Sequence, residues 1–114
     1  MNDRLPRSWL ADARRYALEA RDIVRGLDQE AFHNSRRDQL AVYYCLASVG
    51  EALTQVPKDV QALAPEIPWA AINGLRNRLV HGFFLIDTAI VWRIVQNDTE
   101  PLVASINRLI QKIK

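Results

Sequence analysis

The chain has 114 residues, 49% of them apolar, with a formal net charge of +2. That length suits one domain spanning residues 1–114 with one hydrophobic core. It excludes a membrane-spanning helix, because no stretch nears the roughly 18 apolar residues that a span needs. One cysteine, Cys45, excludes an internal disulfide and a thiolate metal cluster.

The charge is too small to imply a nucleic-acid partner by itself. The kind of base says more, since twelve of the fifteen basic residues are Arg. Arg presents a planar fork of donors that suits phosphate, whereas Lys is a point charge. Arg14, Arg21 and Arg25 share one face of the first helix. Asp12, Glu19 and Asp22 balance them there, so a solvated face accounts for them. The N-terminus, Met1 to Pro6, has no apolar signal region, and a cytoplasmic location is expected.

Helical periodicity dominates, and no strand pattern stands out. The first helix is expected from Ser8 as N-cap to about Arg25, with Gly26 as the stop. Its stripe is Leu10, Ala13, Ala17, Ala20, Val24 and Leu27. Phe32-His33-Asn34-Ser35 reads as a turn that leaves His33 on the surface. A second helix begins at Ser35, with Asp38 completing a capping pair, and ends near Val56 before Pro57. It is apolar on two sides: Leu40, Tyr44 and Ala47 on one, Val42, Leu46, Val49 and Leu53 on the other. Such a helix sits at the centre of a bundle or meets a partner subunit. Cys45 lies among these residues as a small buried side chain.

Residues 57–68 carry three of the five prolines and read as a loop or a short broken helix. Pro68 fits the first turn of a third helix that sends Trp69, Ile72, Leu75, Leu79 and Val80 inward and stops at Gly82. Asp87 caps a short fourth helix with Ile90, Val91, Ile94 and Val95 inside. Asp98 or Thr99 caps a fifth, with Pro101 in its first turn and a stripe of Leu102, Ile106, Leu109 and Ile113. The expected fold is all-α, an antiparallel bundle of four main helices plus a short one.

Chemistry concentrates in Gly74-Leu75-Arg76-Asn77-Arg78-Leu79-Val80-His81-Gly82-Phe83. An Arg can grip a phosphate, and a His can move a proton near neutral pH. Asn73, Asn77 and His81 are four apart and form one polar stripe. Arg76 and His81 are five apart, so a regular helix turns them about 140° away from each other. Two arrangements could bring them together. Either the helix unwinds at Gly82, or a second copy of the chain completes the site. Glu51 is an acidic residue in an apolar stretch and could form a buried pair with an Arg such as Arg76, orienting its guanidinium. Two His without carboxylates at ligand spacing argue against a zinc site. No Gly-rich phosphate loop and no Ser-His-Asp set is present. Trp69 and Trp92 follow the core periodicity. No cofactor is implied.

Several motifs recur together. Gly50-Glu51-Ala52 precedes Ile67-Pro68-Trp69, then Gly74 to His81, Ile86-Asp87, Val91-Trp92, Val95-Gln96-Asn97-Asp98 and Pro101-Leu102. In this order they resemble the HepT-like family of HEPN-domain proteins, over nearly the whole chain. The resemblance implies a helical-bundle homodimer. It also implies a metal-independent endoribonuclease that is the toxin of a toxin–antitoxin pair. The antitoxin partner would be a minimal nucleotidyltransferase that adds AMP to a toxin Tyr. The family motif Arg-x4-His-x-Tyr places the catalytic pair at Arg76 and His81, with Asn77 as the polar residue after the Arg. The Tyr position is Phe83 here. Phe has no hydroxyl to accept an adenylyl group. The partner then inhibits by binding alone, or this chain has lost that control, or its toxicity is weak. A reading of another class is a non-catalytic helical module that binds a nucleotide or the nucleotidyltransferase.

Overall fold

The computed structural model describes residues 4–82 and 86–114. Helices account for all regular structure among them: α1 (Pro6–Val24), α2 (Gln29–His33), α3 (Arg36–Thr54), α4 (Lys58–Gln61), α5 (Trp69–His81), α6 (Thr88–Asn97) and α7 (Thr99–Ile113). The five expected helices correspond to α1, α3, α5, α6 and α7. The one-turn helices α2 and α4 add to them.

α1 starts two residues before the expected Ser8 cap, with Leu5 as N-cap and Pro6 in its first turn. Proline suits that position because its φ is already helical and its missing N–H would go unpaired there. The stripe Leu10, Ala13, Ala17, Ala20 and Val24 is buried as the spacing predicts. The chain leaves α1 through Gly26, whose φ of 84° is a left-handed conformation that favours glycine.

α2 replaces the expected turn. The Asp28 carboxylate accepts from the Ala31 N–H at 2.8 Å and caps it. The single turn drives Phe32 into the core, 5.6 Å from the Trp92 ring. His33 is exposed, as expected, and its Nδ1 lies 2.6 Å from the Thr88 hydroxyl.

α3 opens on the Ser35–Asp38 pair: the Asp38 N–H donates to Ser35 Oγ at 3.3 Å, and that hydroxyl donates back to the Asp38 carboxylate at 2.8 Å. It ends at Thr54, two residues short of the expected limit, and Pro57 caps α4. Asp87 caps α6 by accepting from the Ala89 N–H at 2.9 Å. The Thr99 hydroxyl donates to the Val95 carbonyl at 2.6 Å and ties the end of α6 to the start of α7.

α3 is the central element. It packs most extensively on α1 and then on α5, while α7 covers the other side of α1. One core cluster joins Leu10, Ala13, Leu53, Ile67, Ile106 and Leu109. A second joins Phe32, Val42, Leu46, Leu79, Val91 and Val95. α5 packs substantially on α3 alone.

That one-sided packing corrects two expectations. Val80 and Ile90 were expected inside but are 50% and 39% exposed. Leu40 and Tyr44, on the second apolar side of α3, are 45% and 65% exposed. Helical spacing sets which residues share a face, but among the described residues these faces are only partly covered, Tyr44 meeting the Tyr16 ring of α1 edge-on at 6.1 Å. The Arg face of α1 is tied down rather than free. Arg14 donates to Asn107, Arg21 pairs with Glu100 of α7, Arg25 with Asp22, and Arg4 and Arg15 with Asp12.

Candidate active site

Arg76 lies where α5 crosses α3 at Gly50. A Cβ on residue 50 would stand 2.5 Å from Arg76 Cβ and 2.7 Å from Cγ. Glycine therefore allows the stem of Arg76 to lie flat against α3. The guanidinium is then held at two corners. Nη1 donates to Glu51 Oε1 at 3.2 Å, and Nη2 donates to Asn73 Oδ1 at 3.3 Å. Nε is buried with no hydrogen-bond partner among the described residues.

The expected Glu51–Arg76 pair is present, but it is not buried. The Arg76 side chain is 24% exposed and that of Glu51 58%. Glu51 sits on the outer side of α3, where its second oxygen accepts from Gln55 at 3.5 Å. A pair so open to water contributes little to stability. Its effect is to fix where the guanidinium points.

Asn73 is a partner that sequence reasoning grouped only with Asn77 and His81. The signal was available in the spacing, since residues three apart on a helix are neighbours. Gly50 is the other contributor that spacing alone could not reveal, because a helix crossing is a tertiary fact.

His81 closes α5, and Gly82 is its C-cap. The helix therefore stays regular through His81, so unwinding does not bring it round to Arg76. Arg76 turns toward α3, while His81 and Asn77 are exposed on the outward face with Ala70 and Gly74. The structure thus joins Arg76, Glu51 and Asn73 into one cluster and leaves Asn77 and His81 apart from it. Phe83 lies outside the described residues.

Two concavities border α5. A groove of about 500 Å³ adjoins Arg76, between the end of α3, α4 and the start of α5. A larger one of about 610 Å³ lies between α5 and the α6–α7 pair, walled by Leu46, Val49, Leu75, Ile90, Ile94 and Leu102. Among the described residues, no three His, Cys, Asp or Glu side chains gather as a metal site. Cys45 is buried, and that burial, with Glu19 adding a smaller effect, pushes its thiol up to about 11. Among the described residues no helix is long and apolar enough to cross a membrane.

This arrangement puts an oriented guanidinium and an exposed imidazole on one helix. Comparison with known proteins gives the family. A Thermococcus cleftensis protein named "Probable ribonuclease HepT" is 32% identical over 88 residues, 77% of this chain and 80% of its own. A Methanocaldococcus jannaschii protein named "Putative RNase" is 27% identical over 108 residues, 95% of this chain and 93% of its own. Another of the same description and organism is 32% identical over 98 residues, 86% of this chain and 90% of its own. No solved structure gives a significant match. The ribonuclease HepT-like family matches residues 13–109, and the chain belongs to that family.

Proposed function

We propose that the protein is a metal-independent endoribonuclease that acts as a homodimer. The observation that carries this is the fork of Arg76, set in advance by Glu51 and Asn73 on the helix that ends in His81. An oriented guanidinium stabilises charge on phosphoryl oxygens without reorganising during reaction.

A second copy supports the reading in two ways. Arg76 and His81 diverge by about 140° on one regular helix, so one chain does not present both to a single phosphate. The outward face of α5 carries the small residues Ala70 and Gly74 beside His81, and the apolar groove adjoins that face. Docking a second copy there covers Ile90 and Ile94 and brings two α5 helices together. The cleft between them takes the two His81 side chains, and the Arg76 forks border it from the α3 side of each α5 helix.

In that cleft one His81 takes the proton of a ribose 2′-hydroxyl. The 2′-oxygen attacks phosphorus, and the bond from phosphorus to the 5′-oxygen breaks. His81 of the partner subunit, in its protonated form, gives a proton to the leaving 5′-oxygen. The products are a 2′,3′-cyclic phosphate and a 5′-hydroxyl. Arg76 holds the phosphoryl oxygens, and Asn77 positions substrate or His81. DNA lacks the attacking hydroxyl and is not cut.

The same reading makes the protein the toxin of a toxin–antitoxin pair with a cognate nucleotidyltransferase. With Phe83 at the Tyr position adenylylation there is excluded, which leaves restraint by binding alone, loss of that control, or weak toxicity. The deciding experiment is RNA cleavage by the purified chain in EDTA, with His81→Ala alongside. Cleavage with cyclic-phosphate ends that disappears in the variant is expected. Equal activity in the variant overturns the proposal.

A further inference from the structure

The groove beside Arg76 contains groups that the cleavage step does not use. Lys58, the first residue of α4, lines it and forms no ion pair among the described residues. Trp69 also lines it, half-buried, and its indole N–H donates to the Ala64 carbonyl at 3.0 Å, which fixes the ring. Gln61 is anchored through Nε2 to the Val56 carbonyl at 3.0 Å, so its amide oxygen has a set direction. The Thr54 hydroxyl donates to the Glu51 carbonyl at 2.7 Å and keeps its lone pairs for an incoming donor. Asn73 and Arg76 complete the wall.

Two cations, one fixed indole and three oriented polar groups in one groove form a recognisable set. Cations take phosphate, an aromatic face takes a base, and oriented amides and hydroxyls read a base edge or a sugar. The volume of about 500 Å³ falls within the roughly 300–1,000 Å³ of small-ligand sites. It is room for a single nucleotide and far too small for a duplex. The larger groove differs in kind, because its walls are mainly aliphatic.

We propose that the groove is a nucleotide subsite for single-stranded RNA. It takes the nucleotide next to the scissile phosphate, with the base against Trp69 and its outer phosphate on Lys58, while Arg76 keeps the scissile phosphate. This rests on the ribonuclease reading for its substrate. It adds that the strand is read outside the cleavage step, and that unpaired RNA is preferred.

The test measures binding rather than activity. The indole N–H signals of the three Trp are followed by NMR in the full chain as 5′-AMP, or inorganic phosphate, is added. Trp69→Phe identifies the Trp69 signal. The expected result is that Trp69 moves with AMP while Trp9 and Trp92 stay, and that phosphate alone moves it less. Binding of a non-cleavable 2′-O-methyl RNA is then measured against salt. Lys58→Ala is expected to reduce the log–log slope by about 0.7, the value for one single-strand phosphate. A still Trp69 signal, or an unchanged slope, overturns the subsite. Equal movement with phosphate and AMP overturns the base contact. Cleavage in EDTA and its loss in His81→Ala report separately on the ribonuclease reading.

Discussion

The stem of Arg76 occupies the space that a side chain on Gly50 would need. The clashing atoms are Cβ and Cγ, so no simple rotation of the Arg end relieves them. Gly50→Ala therefore has to part α3 from α5 or displace Arg76. Overpacking of this kind costs about 1–3 kcal/mol. The variant is expected to melt at lower temperature and to lose cleavage beyond what its folded fraction explains. Gly74 is the internal control, since a Cβ there meets nothing within 4 Å. Gly74→Ala is expected to raise the melting temperature of the isolated chain, because glycine inside a helix costs about 0.5–1 kcal/mol relative to alanine.

Holding Arg76 at both corners matters only if its planar fork is used. Arg76→Lys keeps the charge and loses the fork. Cleavage is expected to fall by about 10²–10³-fold, the scale for removing one oriented donor at a reacting centre. Glu51→Gln removes a pair that water already screens, so stability is expected to change by less than about 1 kcal/mol. Its cleavage rate is expected to fall less than that of Arg76→Lys. Denaturant unfolding and RNA cleavage in EDTA, measured on both variants, separate the two effects.

Much of this site was legible from residue spacing, and the rest depended on neighbours. Ser35 and Asp38 announce the start of α3 because a capping pair is local chemistry. The divergence of Arg76 and His81 follows from helix geometry alone. Glu51 was foreseeable as the partner of Arg76, but its exposure was not, since burial depends on what packs over the outer face of α3. Val80 and Ile90 show the same limit: an apolar residue on an apolar stripe is buried only if something lies across from it. α2 escaped notice because five residues are too few to display a period, and only the Asp28 cap marked it.

Cys45 offers a check on the core that is independent of activity. Burial pushes its thiol up to about 11, from an ordinary value of 9.0. The thiolate is the reactive form, so the folded chain is expected to resist alkylation at pH 8. Labelling is expected to speed up sharply in denaturant. The sign of the linked stability follows. The unfolded thiol ionises near 9.0 and the folded one near 11, so this contribution is fully present below pH 9.0 and is lost as pH rises through about 11. Unfolding free energies measured across pH 8 to 11 are expected to decline. Rapid labelling of the folded chain at pH 8 contradicts the buried placement.

The proposed composite cleft makes a prediction that no single-chain site shares. Arg76→Ala homodimers keep two His81 side chains and no Arg76, whereas His81→Ala homodimers keep two Arg76 and no His81. Each is expected to be almost inactive, since removing a general acid–base costs about 10²–10⁴-fold and removing an oriented donor about 10²–10³-fold. Mixing the two variants and letting subunits exchange produces dimers whose shared cleft holds one Arg76 and one His81. In the mixed dimer the one His81 serves as base while water protonates the leaving oxygen, so cleavage is expected to exceed that of either parent, to stay well below wild type and to peak at equal proportions. If each chain works alone, no chain in the mixture carries both groups, and activity stays at the parental level. Ile90→Asp supplies the complementary control, because Ile90 walls the apolar groove and is already partly exposed. That variant is expected to fold, to sediment as a monomer and to abolish the rescue. A monomeric Ile90→Asp variant with undiminished cleavage rules out the shared cleft even if the mixture recovers activity.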